Sequence, residues 1–235
     1  IVGATFGRGF YILDDYAPLR EIADKGLQNG LLPVRDAWWY IENEPMQARG
    51  QATLGSEAYR AENPALGASI RYYISDIPLT QEETRHEKES ALRKERKDTP
   101  FPGYDTLENE AHEGSPSLMV RINNNSGSTV RWLKTSNKNG LGHVTWDLRW
   151  PSADPIDLRV PGFKPPWMGI PQGPLASPGI YNAHLVLVSG DEVREIGESR
   201  PFNVKPVMNG PLGTNYVANA RFGQEVSEAL RQVGV

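Results

Sequence analysis

Asp147, Asp154 and Asp157 bring together the residue types used in glycoside cleavage, which needs an acid and a carboxylate about 5–9.5 Å apart across the scissile bond. Sequence spacing does not place any two of them at that distance, and acidic residues beside Pro151 and Pro155 are also ordinary loop formers. Asp14 and Asp15 form a second carboxylate pair, but neighbours on an extended chain point apart. Before Pro18 they read as turn chemistry. The four histidines, His86, His112, His143 and His184, lie in separate segments without a His-Glu-x-x-His spacing, so each is expected in a structural or surface role. The remaining candidates are aromatic. Trp38-Trp39-Tyr40 and Trp167 could stack on a sugar ring, or could pin a linker to its neighbouring domain, because exposed aromatic patches are uncommon without a partner. No acid, base and nucleophile set can be assembled from these motifs. No catalytic residue, metal ligand or cofactor is therefore expected in this chain.

Two other motifs fail on context. Ile1-Val2-Gly3 matches the start of an activated trypsin-like protease, but no Gly-Asp-Ser-Gly-Gly follows. Gly3, Gly7 and Gly9 would need a helix opening behind them to cradle a phosphate, and Phe10-Tyr11-Ile12-Leu13 is β-prone instead.

The elements that must position these residues follow from composition and periodicity. Over 235 residues the chain carries 23 glycines and 19 prolines beside nine tyrosines and six tryptophans, which favours short strands and long connections around a real core. With a net charge of −4 and scattered basic residues there is no electrostatic footprint for nucleic acid. The absence of cysteine rules out disulfides and thiolate chemistry, and no apolar run reaches the roughly 18 residues of a membrane span. The chain opens without a basic leader or apolar run, and its first residues read as part of something longer.

Val144, Trp146, Leu148 and Trp150 alternate with Thr145, Asp147 and Arg149, the signature of a half-buried strand over residues 140–151. Trp146, Trp150 and Tyr181 are the expected structural core. Residues 1–13 predict a hairpin around Gly7-Arg8-Gly9, and residues 67–75 a strand with Ile70, Tyr72 and Ile74 on one side. Thr80-Gln81-Glu82-Glu83 is a capping box opening a polar surface helix to about residue 97, with a second short helix at 104–112. Strands at 117–122 and 128–134 flank an Asn-rich turn, further strands occupy 182–189 and 192–205, and apolar residues recur at helical spacing over 220–233.

Gly7-Arg8-Gly9-Phe10-Tyr11-Ile12-Leu13-Asp14-Asp15, followed by Ala17-Pro18-Leu19-Arg20, resembles the end of the final blade in large secreted bacterial β-propeller proteins of the BNR-repeat, sortilin-like kind, often labelled glycosyl hydrolases. Gly142-His143-Val144-Thr145-Trp146-Asp147, then Pro178-Gly179-x-Tyr181, resembles the FlgD-like Ig fold found at the C-termini of secreted bacterial enzymes. Trp150-Pro151 and the long proline-rich loop depart from the shortest FlgD-like pattern and suit the propeller proteins better. The resemblance implies a mainly β chain. Residues 1–20 would be the end of a β-propeller blade and 21–66 a linker with the aromatic cluster. Residues 67–205 would form an antiparallel Ig-like (FlgD-like) β-sandwich with a helical insertion at about 78–115, and 206–235 a linker and C-terminal amphipathic helix. It also implies a non-catalytic module of an extracellular, periplasmic or cell-surface protein. Its partners would be the upstream propeller domain and glycans or other cell-surface proteins. The alternative is a sialidase-like or other glycoside hydrolase whose catalytic residues lie in that propeller.

Overall fold

A computed structural model describes residues 1–7, 9–13, 15–41, 64–154, 171–190, 192–207 and 214–233. In chain order the elements are β1 (Val2–Thr5), β2 (Gly9–Ile12), α1 (Ala17–Lys25), β3 (Gly30–Leu31), β4 (Ala37–Trp39), β5 (Ala68–Ile74), α2 (Gln81–Lys94) and α3 (Tyr104–His112). They continue with β6 (Ser117–Asn124), β7 (Thr129–Lys134), β8 (Gly140–Trp146), β9 (Gly179–Ser189), β10 (Glu192–Glu195), β11 (Arg200–Pro206) and α4 (Tyr216–Val233). The protein is mainly β with a C-terminal helix. Among the described residues no helix is long and apolar enough to cross a membrane.

Period-two burial builds the strands. On β5 Ala68, Ile70, Tyr72 and Ile74 are buried while Ser69, Arg71 and Tyr73 are partly exposed, and on β6 Leu118, Val120 and Ile122 turn inward. β6 returns antiparallel as β7, with Val120 opposite Leu133. In the intervening turn the Asn124 side chain accepts from the amides of Ser126 and Ser128, and Gly127 takes the positive φ the turn requires. β9 turns at Gly190 into antiparallel β10, placing Val193 opposite Val188.

The strands form the β1-β2 hairpin, a three-stranded sheet ordered β3-β5-β8, and a larger sheet ordered β4-β11-β9-β6-β7 with β10 also on β9. The larger sheet is mixed, which corrects the expectation of a wholly antiparallel one: β4 runs parallel to β11, with Ala37 opposite Val204. A parallel pair needs a long crossover, and here the intervening chain is most of the protein. The segment read as a linker thus supplies two strands. Asp36 secures the pairing by accepting from the Asn203 amide at 3.0 Å, and its ion pair with Lys205 holds its carboxyl below the usual range.

The chain divides into two compact units, residues 1–34, 70–144 and 182–201, and residues 35–69, 145–181 and 202–235. The first has a core of Ile70, Tyr72, Leu118, Val120, Ile122 and Leu185. In the second, the fully buried Trp146 meets Tyr181 edge-on at 4.9 Å, and Phe202 lies beside both rings. α4 contacts this unit through Tyr216, edge-on to Trp39 at 5.0 Å, and through Gly223, where a Cβ would stand 2.9 Å from Pro174.

The expected strand over 140–151 ends at Trp146. Asp147 accepts from the Arg149 amide at 3.1 Å, and Leu148 takes a φ of 57°, which breaks the alternation. The chain then pairs anew: Ala176 N–H donates to the Leu148 carbonyl and Trp150 N–H to the Pro174 carbonyl. Trp146 and Leu148 are therefore both buried, while Trp150 is only partly so.

The helical insertion lies between β5 and β6. Its capping box is complete: the Glu83 amide donates to the Thr80 hydroxyl at 3.1 Å and the Thr80 amide to the Glu83 carboxylate at 2.9 Å. Arg85 grips Glu110 through two nitrogens, tying α2 to α3 and holding that carboxyl below its usual range. Thr80→Ala removes an orphan-amide acceptor and is expected to cost about 1 kcal/mol. Urea unfolding followed by helical circular dichroism checks this.

Candidate functional site

The aromatic run divides by strand geometry. Trp39 shares a side of β4 with the buried Ala37. Its indole N–H donates to the Ala176 carbonyl at 2.8 Å, and its ring is held against Tyr216. Trp38 and Tyr40 fall on the opposite side and are open, 57% and 42% exposed. The aromatic run is therefore split: Trp39 is tied to Ala176 and Tyr216, and Trp38 and Tyr40 lie exposed. Trp167 and Asp157 lie outside the described residues.

The candidate carboxylates take separate tasks. Asp147 is occupied with the turn that ends β8, and Asp154 is exposed in a turn where its own amide donates to the Ser152 hydroxyl. His86 and His112 sit on α2 and α3. His184 Nδ1 lies 3.2 Å from Glu195 Oε2, and Glu195 also pairs with Arg121, whose guanidinium covers the Trp132 ring at 5.6 Å. Burial pushes the Glu195 carboxyl up, but His184 and Arg121 together outweigh it and leave it below the usual range. Among the described residues no three His, Asp or Glu side chains gather as a metal site.

The structure also assembles a site that sequence reasoning missed. A cavity of about 340 Å³ in the first unit is lined by Leu13, Asp15, Pro18, Leu19 and Ile22 from the start of the chain, by Leu32, by Arg71 on β5, and by Leu141, Gly142 and His143 on β8. Asp15 Oδ2 accepts from Arg71 Nη1 at 2.7 Å, while Oδ1 accepts from the Ala17 amide at 3.0 Å as α1 begins. Asp15 therefore performs the expected turn chemistry and also holds an ion pair. Gly142 lets the Tyr72 ring lie across β8, since a Cβ there would meet that ring at 2.0 Å. Burial, and after it the Arg71 charge, push His143 below the ordinary histidine value, favouring the neutral imidazole. The local signal was the placement of Arg71 opposite Ile70 and Tyr72. Nothing local brings residues 13–22 over it.

Comparison with protein-family models, curated proteins and solved structures finds no match to this chain. What the cavity can do follows from its own geometry: mostly apolar walls, one internally neutralised ion pair, and one imidazole.

His143 makes stability depend on pH. Its folded pKa lies below the unfolded value of 6.5, so the unfolded chain binds the proton first on acidification. Stability contributed by the neutral ring is complete above pH 6.5 and is lost as pH falls to the folded pKa. His143→Asn should flatten the stability slope in that window alone, as read by urea unfolding across pH, with an NMR titration of the ring locating the folded value.

Proposed function

We propose that this chain is a non-catalytic, β-rich module of a secreted or cell-surface β-propeller protein, serving domain packing, attachment or partner binding. Its N-terminal hairpin would complete the sheet of a preceding blade. The observation that carries the reading is the hairpin's one-sided apolar face. Val2 stands opposite Ile12 and Ala4 opposite Phe10, so these four side chains share a face, with Gly3, Thr5, Gly9 and Tyr11 on the other. That face is uncovered: Val2, Phe10 and Ile12 are 65%, 77% and 66% exposed. A two-stranded ribbon is marginal in water, and this one combines an unburied apolar face with outer edges that no other strand joins among the described residues. Only a sheet supplies both a strand to pair with and a surface to pack on.

The rest of the chain supports a module of the Ig-like, FlgD-like kind. The Trp146, Tyr181 and Phe202 cluster suits the inner face of such a sandwich, and Gly179–Ser189 turning into Glu192–Glu195 suits its penultimate hairpin.

Hydrogen exchange tests the assignment. Amides of β1 and β2 should exchange rapidly in this chain alone, and at least about a hundredfold more slowly in a longer chain carrying the residues encoded ahead of Ile1. Those residues should contain Ser-x-Asp-x-Gly-x-Thr-Trp boxes. Equal exchange in both chains, or turnover of a glycoside by this chain alone, overturns the reading. The open faces of Trp38 and Tyr40 favour a second reading, in which the parent is a glycoside hydrolase and this strand borders its substrate path. Under that reading Trp38→Ala lowers kcat/KM of the parent, while under the first it leaves kcat/KM unchanged.

A further inference from the structure

We propose that the outer face of the larger sheet binds the pyranose rings of an uncharged polysaccharide, with Trp132 as the stacking plate and Glu195 as the acceptor of sugar hydroxyls. β6 and β7 pair with Arg121 opposite Trp132, and the neighbours Val120, Ile122 and Leu133 are buried, so Arg121 and Trp132 turn together to the outer face. The Arg121 guanidinium lies over the indole at 5.6 Å and donates through Nη2 to Oε1 of Glu195 on β10. Glu195 Oε2 lies 3.2 Å from Nδ1 of His184 on β9. With Arg121 over one face of the ring, the exposure that Trp132 keeps, 40%, belongs to its other face and its edge. The Glu195 side chain is 50% exposed. One open aromatic plate and one open carboxylate are thus held a guanidinium apart.

A pyranose presents what this pair takes: a face of C–H groups that covers an aromatic ring, and a rim of hydroxyls that donate to a carboxylate. Glu195 is an ionised acceptor, since its carboxyl sits below the usual range, and a carboxylate oxygen with one protein partner keeps a lone pair for a second donor. Charge selects against other ligands. Arg121 and Glu195 neutralise each other, so an anion would have to take Arg121 from Glu195 and a cation Glu195 from Arg121, whereas hydroxyls add to the pair without breaking it. A small apolar molecule needs a concave site that encloses most of its surface, which the outer face of a sheet does not supply. The placement of Arg121 also has a cost: its Nε is enclosed with no hydrogen-bond partner among the described residues. Native chains rarely leave such a donor unpaired, and here it is given up where the guanidinium is aimed at the indole and the carboxylate. The site shares no residue with the β1-β2 hairpin or with Trp38, and its test is independent of the blade assignment.

Cellohexaose, maltohexaose and chitohexaose as neutral probes and hexagalacturonate as an anionic one, titrated into the full chain and followed by NMR of the backbone amides and the Trp132 indole, test the site. We expect saturable binding of at least one neutral hexasaccharide, with shifts centred on the Trp132 indole and on residues 121, 184 and 195. Its affinity should exceed that for hexagalacturonate by about tenfold or more, because the anion meets a guanidinium that is already paired. Trp132→Ala should weaken binding by about tenfold or more, while Trp132→Tyr, which keeps an aromatic plate, should stay within about threefold. Glu195→Gln should weaken it about three- to tenfold, the value of one hydrogen bond. Both positions are exposed, so the unfolding midpoint should be unchanged, and either variant suffices if the other fails to fold. No saturable binding of any neutral hexasaccharide, tightest binding of hexagalacturonate, shifts centred elsewhere, or undiminished binding by a folded Trp132→Ala or Glu195→Gln overturns the proposal.

Discussion

Trp146→Ala is expected to cost about 3–5 kcal/mol of stability, a large share of what a domain of ordinary stability has. The side chain is wholly inaccessible, and its ring is met edge-on by Tyr181 at 4.9 Å and by Phe202 at 6.2 Å. Neither neighbour can easily fill the space, because the Tyr181 hydroxyl donates to the Ser177 carbonyl at 2.7 Å and Phe202 is fixed on β11. Truncation would also leave the Arg149 carbonyl without the indole N–H that it accepts from at 3.0 Å. The effect should appear as a lower denaturant midpoint at unchanged slope. A cost near zero would place Trp146 outside the core.

Gly67→Ala should be comparably damaging, about 3 kcal/mol or more, although it adds a single methyl group. A Cβ at this position would stand 1.8 Å from the Trp146 carbonyl oxygen and 2.8 Å from its carbon, and the obstacle is backbone, so no side-chain rotation relieves it. Gly67 also has a φ of +127°, where an L side chain is strained even in open space. Gly103→Ala separates the two terms: Gly103 has a φ of +93° with nothing within 4 Å of the added atom, and its replacement should cost only about 1 kcal/mol. If the two variants unfold at the same denaturant concentration, the close approach of residue 67 to the Trp146 carbonyl is not a feature of the protein in solution.

The two substitutions mark where local signals stop. The alternation of Ile70, Tyr72 and Ile74, the Thr80/Glu83 capping box, the Asn123–Gly127 turn and the terminal helix were all legible, because each is decided by residues within a few positions of one another. The end of β8 was not. Residues 144–150 alternate without interruption in sequence, and it is the left-handed Leu148, with new backbone partners at Pro174 and Ala176, that turns Trp150 out of register.

The candidate site follows the same division. That Trp38, Trp39 and Tyr40 cannot all face one way follows from strand geometry alone, but only Ala176 and Tyr216 decide that Trp39 is the one enclosed. Asp15 and Arg71 each had a sufficient local role, one in a turn and one on the outer side of a strand. Their ion pair spans 56 residues of chain and is created when residues 13–22 fold over β5 and β8. By itself the sequence determined the elements: which residues alternate, where helices start, and that the hairpin has one apolar face. The tertiary structure alone decided which elements meet, through contacts between residues too distant in sequence for any periodic pattern to encode. It thereby made β4 parallel to β11 and joined Asp15 to Arg71.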